Sequence, residues 1–172
     1  KRPARGAGVS PRARARCRWL RCVSLRPRSG LPDLWPVYMA PDDARRLVES
    51  AATHGGQSRV ASMDVGDLGT MAVVSDPGGA GIGVWQAGLH QGFGLLGEPG
   101  TPSWFELHTR DYQGAVTFYR EVFGCETHVV SDTPEFRYIT LRQGEDWLAG
   151  IMDASAFLPD GVPARWSVYF GV

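Results

Sequence analysis

A tryptophan followed by a short apolar run recurs three times, as WPVYMAPD from Trp35, WFELHTRD from Trp104 and WSVYFGV from Trp166, at spacings of 69 and 62 residues. In the first two copies an aspartate stands seven residues after the indole. A repeating unit of this size cannot cover both faces of its own sheet, so it calls for a partner unit. That requirement constrains the fold more than any single motif does.

The interior of each copy reads alike. After the strand from Trp35, Asp42 or Asp43 can cap a helix over PDDARRLVESAATHGG, with Ala44, Leu47, Val48, Ala51 and Ala52 on one face and Gly55-Gly56 as its stop. Three strands follow: QSRVASMDV, TMAVVSD closed by the turn DPGG, and AGIGVWQA. In the second copy Asp111 caps a helix striped by Tyr112, Ala115, Val116, Tyr119, Val122 and Phe123, which ends at Gly124. CETHVVSD, FRYITLRQG and DWLAGIMDA are its three further strands. The prediction is α+β: tandem βαβββ modules with curved mixed sheets and helices on the outer face. The modules span 31–86 and 103–155, joined by a Gly- and Pro-rich linker over 87–102, and a further, truncated module starts at 156–172. In the linker, His90 and Phe93 are expected to cover an edge.

Charge separates the first thirty residues from the rest. They hold Lys1, nine Arg and no acid, whereas residues 31–172 hold eight Arg and eighteen acids, a net of −10. Residues 1–30 have no apolar period and no hydrophobic core of a secretory signal. Three readings stand: a transit-like leader, a basic arm that binds nucleic acid through phosphate contacts, or a disordered or non-native segment. The last is preferred. No stretch approaches the roughly 18 apolar residues of a membrane span. Cys17 and Cys22 lack a second ligand pair for zinc, Cys125 stands alone in the body, and three cysteines make no disulfide framework, so a cytoplasmic location is expected. The glycines of GGAGIG (78–83) lie in a turn and a strand with no helix after them, which argues against a nucleotide loop.

The helix phrase (Asp111, Ala115, Phe118-Tyr119, Val122-Phe123-Gly124) and the strand phrase (Asp76-Pro77-Gly79, Val84) resemble the vicinal oxygen chelate superfamily. That group includes glyoxalase I, bleomycin-resistance proteins and extradiol dioxygenases. The two-lobed glyoxalase-like and hydroxylase-type members with four modules are the most similar. The resemblance implies that Trp35, Trp104 and Trp166 open modules two, three and four, and that the chain is a fragment of a longer protein. Modules two and three would then not share one cup.

The resemblance also implies where a divalent ion sits in metal-using relatives. One ligand lies at the start of strand one, seven residues before the capping aspartate, and a glutamate lies on strand four. Here those places hold Trp35, Trp104 and Trp166, and Gly83 and Gly150. Indole and glycine cannot ligate. Strand alternation puts Trp104, Glu106 and His108 on the face that lines the cavity in relatives, with Trp166, Val168 and Phe170, and Trp35, Val37 and Met39, predicted alike. The ligand-binding set is therefore Trp104, Glu106, His108, Tyr138 and Trp166. Glu106 and His108 are the candidates for acid–base work; the plainer reading sets them at a wet rim or pairs them with Arg110 or Arg137, and makes the three Trp packing of the sheet core. No metal ligand and no cofactor is predicted. The expected function is binding of a small organic ligand in a metal-free aromatic cup. The alternatives are a metal-dependent lyase or extradiol-type dioxygenase with displaced ligands, and nucleic-acid binding through the arm. Expected associations are the ligand and a homodimer or swapped pairing, with no membrane.

Overall fold

The computed structural model describes residues 19–20, 37–92 and 94–172. Trp35, Phe93, Cys17, Cys22 and most of the Arg-rich segment lie outside the described residues, and so do the readings attached to them.

Among the described residues two five-stranded sheets form, each with one helix. The first has the order β1-β2-β5-β4-β3, built from β1 (Trp19–Leu20), β2 (Tyr38–Met39), β3 (Gln57–Val65), β4 (Gly69–Ser75) and β5 (Gly81–Ala87). The second has the order β10-β6-β9-β8-β7, built from β6 (Pro102–Thr109), β7 (Glu126–Asp132), β8 (Arg137–Gln143), β9 (Asp146–Asp153) and β10 (Arg165–Phe170). The sheets are alike in plan. β2 runs parallel to β5 and β6 parallel to β9, and every other pairing is antiparallel. The βαβββ order of elements along each module is the one expected.

Helix α1 (Ala44–Thr53) starts where the Asp43 carboxylate accepts from the Arg46 amide at 3.0 Å. The cap is thus Asp43, not Asp42. Ala44, Leu47 and Ala51 are buried as predicted, but Ala52 is exposed. Helix α2 (Tyr112–Phe123) is capped by Asp111, which accepts from Gly114 N at 3.0 Å, and Gly124 closes it at φ 67°. Its whole predicted stripe is buried, together with Phe118.

Each helix packs on one face of its own sheet, and the two helices touch. One continuous core results. It joins Val37, Met39, Val74, Ile82 and Val84 of the first sheet, both helices, and Phe105, Leu107, Ile139, Leu141 and Ile151 of the second. The modules are thus joined through their helices and keep separate sheets. Between them runs a polar tie. Asp76, at the end of β4, accepts from Tyr119 Oη–H at 3.3 Å, and that oxygen accepts from Trp166 Nε1–H at 3.0 Å. A Cβ at Gly78, in the same DPGG turn, would meet Thr109 Oγ1 at 2.9 Å, so the turn fits against the second module only without a side chain. Among the described residues no helix is long and apolar enough to cross a membrane.

Cys125 is buried and disulfide-bonded, which overturns the expectation that it stands alone; its partner lies outside the described residues.

Candidate functional site

The faces turned away from the helices differ in character. On the first sheet that face is apolar: Tyr38, Ala40 and Trp85 are buried together against Val65 and Met71. His90 of the linker lies edge-on to Trp85 and takes the indole N–H on its carbonyl at 3.0 Å, so it covers this face. Val37 and Met39, expected on that face, belong to the helix-side core instead. The cap at Asp43, one residue later than the spacing from Trp35 suggests, shifts the copy by one residue. In a strand a shift of one exchanges the two faces.

On the second sheet the same face carries charge and hydrogen bonds. β6 presents Trp104, Glu106 and His108 to one side, as predicted, while Phe105, Leu107 and Thr109 enter the core. Glu106 is the hub. Its Oε1 lies 2.6 Å from His108 Nε2 and accepts from Tyr169 Oη–H at 3.1 Å; its Oε2 accepts from Tyr138 Oη–H at 2.8 Å. Tyr138 Oη in turn accepts from Trp104 Nε1–H at 3.0 Å. Glu106 and His108 are deeply set, with side chains 10% and 12% exposed. Three donors on one carboxylate satisfy a charge that would otherwise be costly to bury. Burial, and then the bond to Glu106, hold the Tyr138 hydroxyl well above the ordinary phenol range; burial and the Glu106 charge raise Tyr169 as well. Both phenols therefore remain proton donors to the carboxylate.

Aromatic rings frame this network. Phe136 stacks on Tyr138 at 5.6 Å, and Phe157, from the β9–β10 loop, stands edge-on to His108 at 6.0 Å. Phe136, Phe157 and Tyr169 are exposed, so they form a rim around a buried polar centre. The His108 Nδ1 is buried and has no hydrogen-bond partner.

Of the predicted set, Trp104, Glu106, His108 and Tyr138 come together. Trp166 does not. It stands opposite Leu107 in the β6–β10 ladder, and directly opposed residues of an antiparallel pair share a face. Trp166 and Val168 therefore pack against the core, and the face of Glu106 receives Tyr169. The alternation of β10 is read correctly from the sequence, but its phase is inverted. Arg110 and Arg137 do not pair with Glu106. Arg110 donates to the carbonyls of Leu158, Pro159 and Val162, and Arg137 bonds Asp132 and lies over the Tyr112 ring. Tyr169, Phe136 and Phe157 are missed by sequence reasoning. The signal for Tyr169 is the β10 register, and that for Phe136 is its alternation with Tyr138 in FRYITLRQG; Phe157 lies in a loop, where no period points to it.

No family model matches the chain. It is 37% identical over 143 residues to a protein named a glyoxylase, CFP32, in Mycobacterium bovis and Mycobacterium tuberculosis; the match covers 83% of this chain and 54% of that one. It is 35% identical over 146 residues to the anthracycline biosynthesis protein DnrV of Streptomyces peucetius, over 83% of this chain and 51% of that one. The chain thus spans about half the length of these relatives. The fold is that of the Mn(II)-bound glyoxalase from Novosphingobium aromaticivorans, with a TM-score of 0.50 at 20% identity, over 67% of this chain and 41% of that one. The chain belongs to the vicinal oxygen chelate superfamily.

The metal-holding pattern of that superfamily finds no fit here. A Cβ at Gly150 would collide with the Tyr138 hydroxyl, so a glutamate has no room at the strand-four position. The same hydroxyl binds the Trp104 indole, which stands at the strand-one position. One phenol oxygen thus occupies the space between both implied ligand places. In the first module a Cβ at Gly83 would collide with the Tyr38 ring. Among the described residues no group of three or more His, Cys, Asp or Glu comes together to hold a cation.

Proposed function

We propose that the aromatic-rimmed face of the second sheet binds a small, flat organic molecule, and that it does so through Glu106, His108, Tyr138 and Trp104 with no metal ion between them. The observation that carries this reading is the position of Tyr138 Oη, above Gly150 and bonded to both Trp104 and Glu106. A buried carboxylate and imidazole inside a ring of exposed aromatics is the composition of a site that orients a ligand by a few polar contacts and holds it by stacking. One relative's name places it in anthracycline biosynthesis, so polycyclic aromatic ketones are the first probes to try.

The test is a titration with such probes, followed by tryptophan emission, because Trp104 lies in the network. We expect saturable quenching, and at least a tenfold weaker midpoint for Glu106→Gln, equivalent to about 1.4 kcal/mol. A folded protein whose spectrum never moves across the panel would refute the reading. Elemental analysis of protein purified without chelator tests the metal-dependent alternative; a stoichiometric manganese, zinc or iron content would replace our reading with that one. A cytoplasmic location is kept as part of the proposal although the Cys125 disulfide removes the ground that the cysteine count gave it, and cell fractionation checks it: protein recovered only outside the cytoplasm would overturn it.

A further inference from the structure

Resting on that reading of the site, we infer that His108 is a base whose Nδ1 takes the proton of a phenolic or enolic hydroxyl on the bound ligand, while Glu106 holds the imidazolium that forms. Glu106 is bonded by two phenols that stay protonated and by His108 Nε2 at 2.6 Å. A carboxylate only accepts, so the proton of a neutral His108 lies on Nε2 and the lone pair on Nδ1. That lone pair is the one buried polar atom of the network left without a partner, and an orphaned buried acceptor costs stability. A donor supplied by a ligand removes the cost.

The surroundings suit a hydroxyl on an aromatic or conjugated skeleton. Phe157 stands edge-on to the imidazole and is more than half exposed, so a flat ring can replace it against His108. Arg165 stands across the ladder from His108 on the same face, a cation on the side where an anion would form. The step balances without a co-reactant. The ligand O–H bond breaks, an N–H bond forms at Nδ1, and the electron pair stays on the ligand oxygen as phenolate or enolate. Glu106 keeps its charge and now faces a cation, which is the role of the carboxylate in other carboxylate–histidine pairs.

The probe is 4-nitrophenol, in a buffer acidic enough to keep the free phenol neutral. We expect the visible phenolate band to rise with the same midpoint as the tryptophan quenching. In His108→Gln the quenching midpoint should weaken, and the phenolate band per bound ligand at saturation should fall at least tenfold. Nitrogen-15 NMR of the ligand-free wild type supplies a readout that needs no variant, and Nδ1 should appear there as the unprotonated nitrogen. Quenching without a phenolate band, a band that survives His108→Gln, or a protonated Nδ1 in the free protein overturns the base while leaving the binding site standing. An absence of quenching by any phenol or polycyclic probe removes the site reading with it.

Discussion

At the scale of single residues, Tyr138 decides most. Its hydroxyl donates to Glu106, accepts from Trp104 and fills the space that a side chain at Gly150 would need. Tyr138→Phe keeps the ring and its stacking on Phe136 but strips the indole N–H of its acceptor and Glu106 of one donor. We expect a loss of about 1–3 kcal/mol in urea unfolding, because buried polar groups are left short of partners. An unchanged midpoint would mean that the network contributes nothing to folding. Trp104, Glu106 and His108 are legible from the sequence because alternation along β6 puts them on one face; Tyr138 reaches them from β8 across β9, where Gly150 leaves it room. Phe157 is not legible, since a loop carries no period and its place is set by what it covers.

At the scale of elements, the tie from Asp76 through Tyr119 to Trp166 holds a turn, a helix and the strand β10 in one arrangement. Burial pushes the Asp76 carboxyl up to about 6, against the pull of the Ala80 amide and Tyr119, which favour the charged form. Its folded value therefore lies above the unfolded one, near 3.9. The stabilisation is complete below about pH 4 and is lost as pH rises through about 6, up to roughly 3 kcal/mol. Urea midpoints taken across that window should fall with rising pH for the wild type and show a much smaller slope for Asp76→Asn; parallel slopes would remove Asp76 from the account. The elements themselves are legible from caps, turns and periodicity. Their faces are not always so. Trp166 turns to the core because Leu107 is its partner, and Val37 and Met39 do so because the α1 cap falls at Asp43. A phase error of one residue leaves every strand in place and reverses what it shows to a ligand.

At the scale of the whole molecule, β3 and β7 each end their sheet, with no further strand paired to them among the described residues. β7 exposes Val129 and Val130 side by side, next to a register shift. An open edge with adjacent β-branched residues invites pairing with another copy. We expect light scattering to report a mass that grows with concentration, and Val130→Lys to lower it; a constant monomer mass in the wild type would exclude the association. The position of Tyr138 also couples two sites in any redesign of this sheet. A variant with an acid at 150 would meet the phenol, and a variant without the phenol would leave a bare glycine and an unbonded indole, so the two positions have to change together.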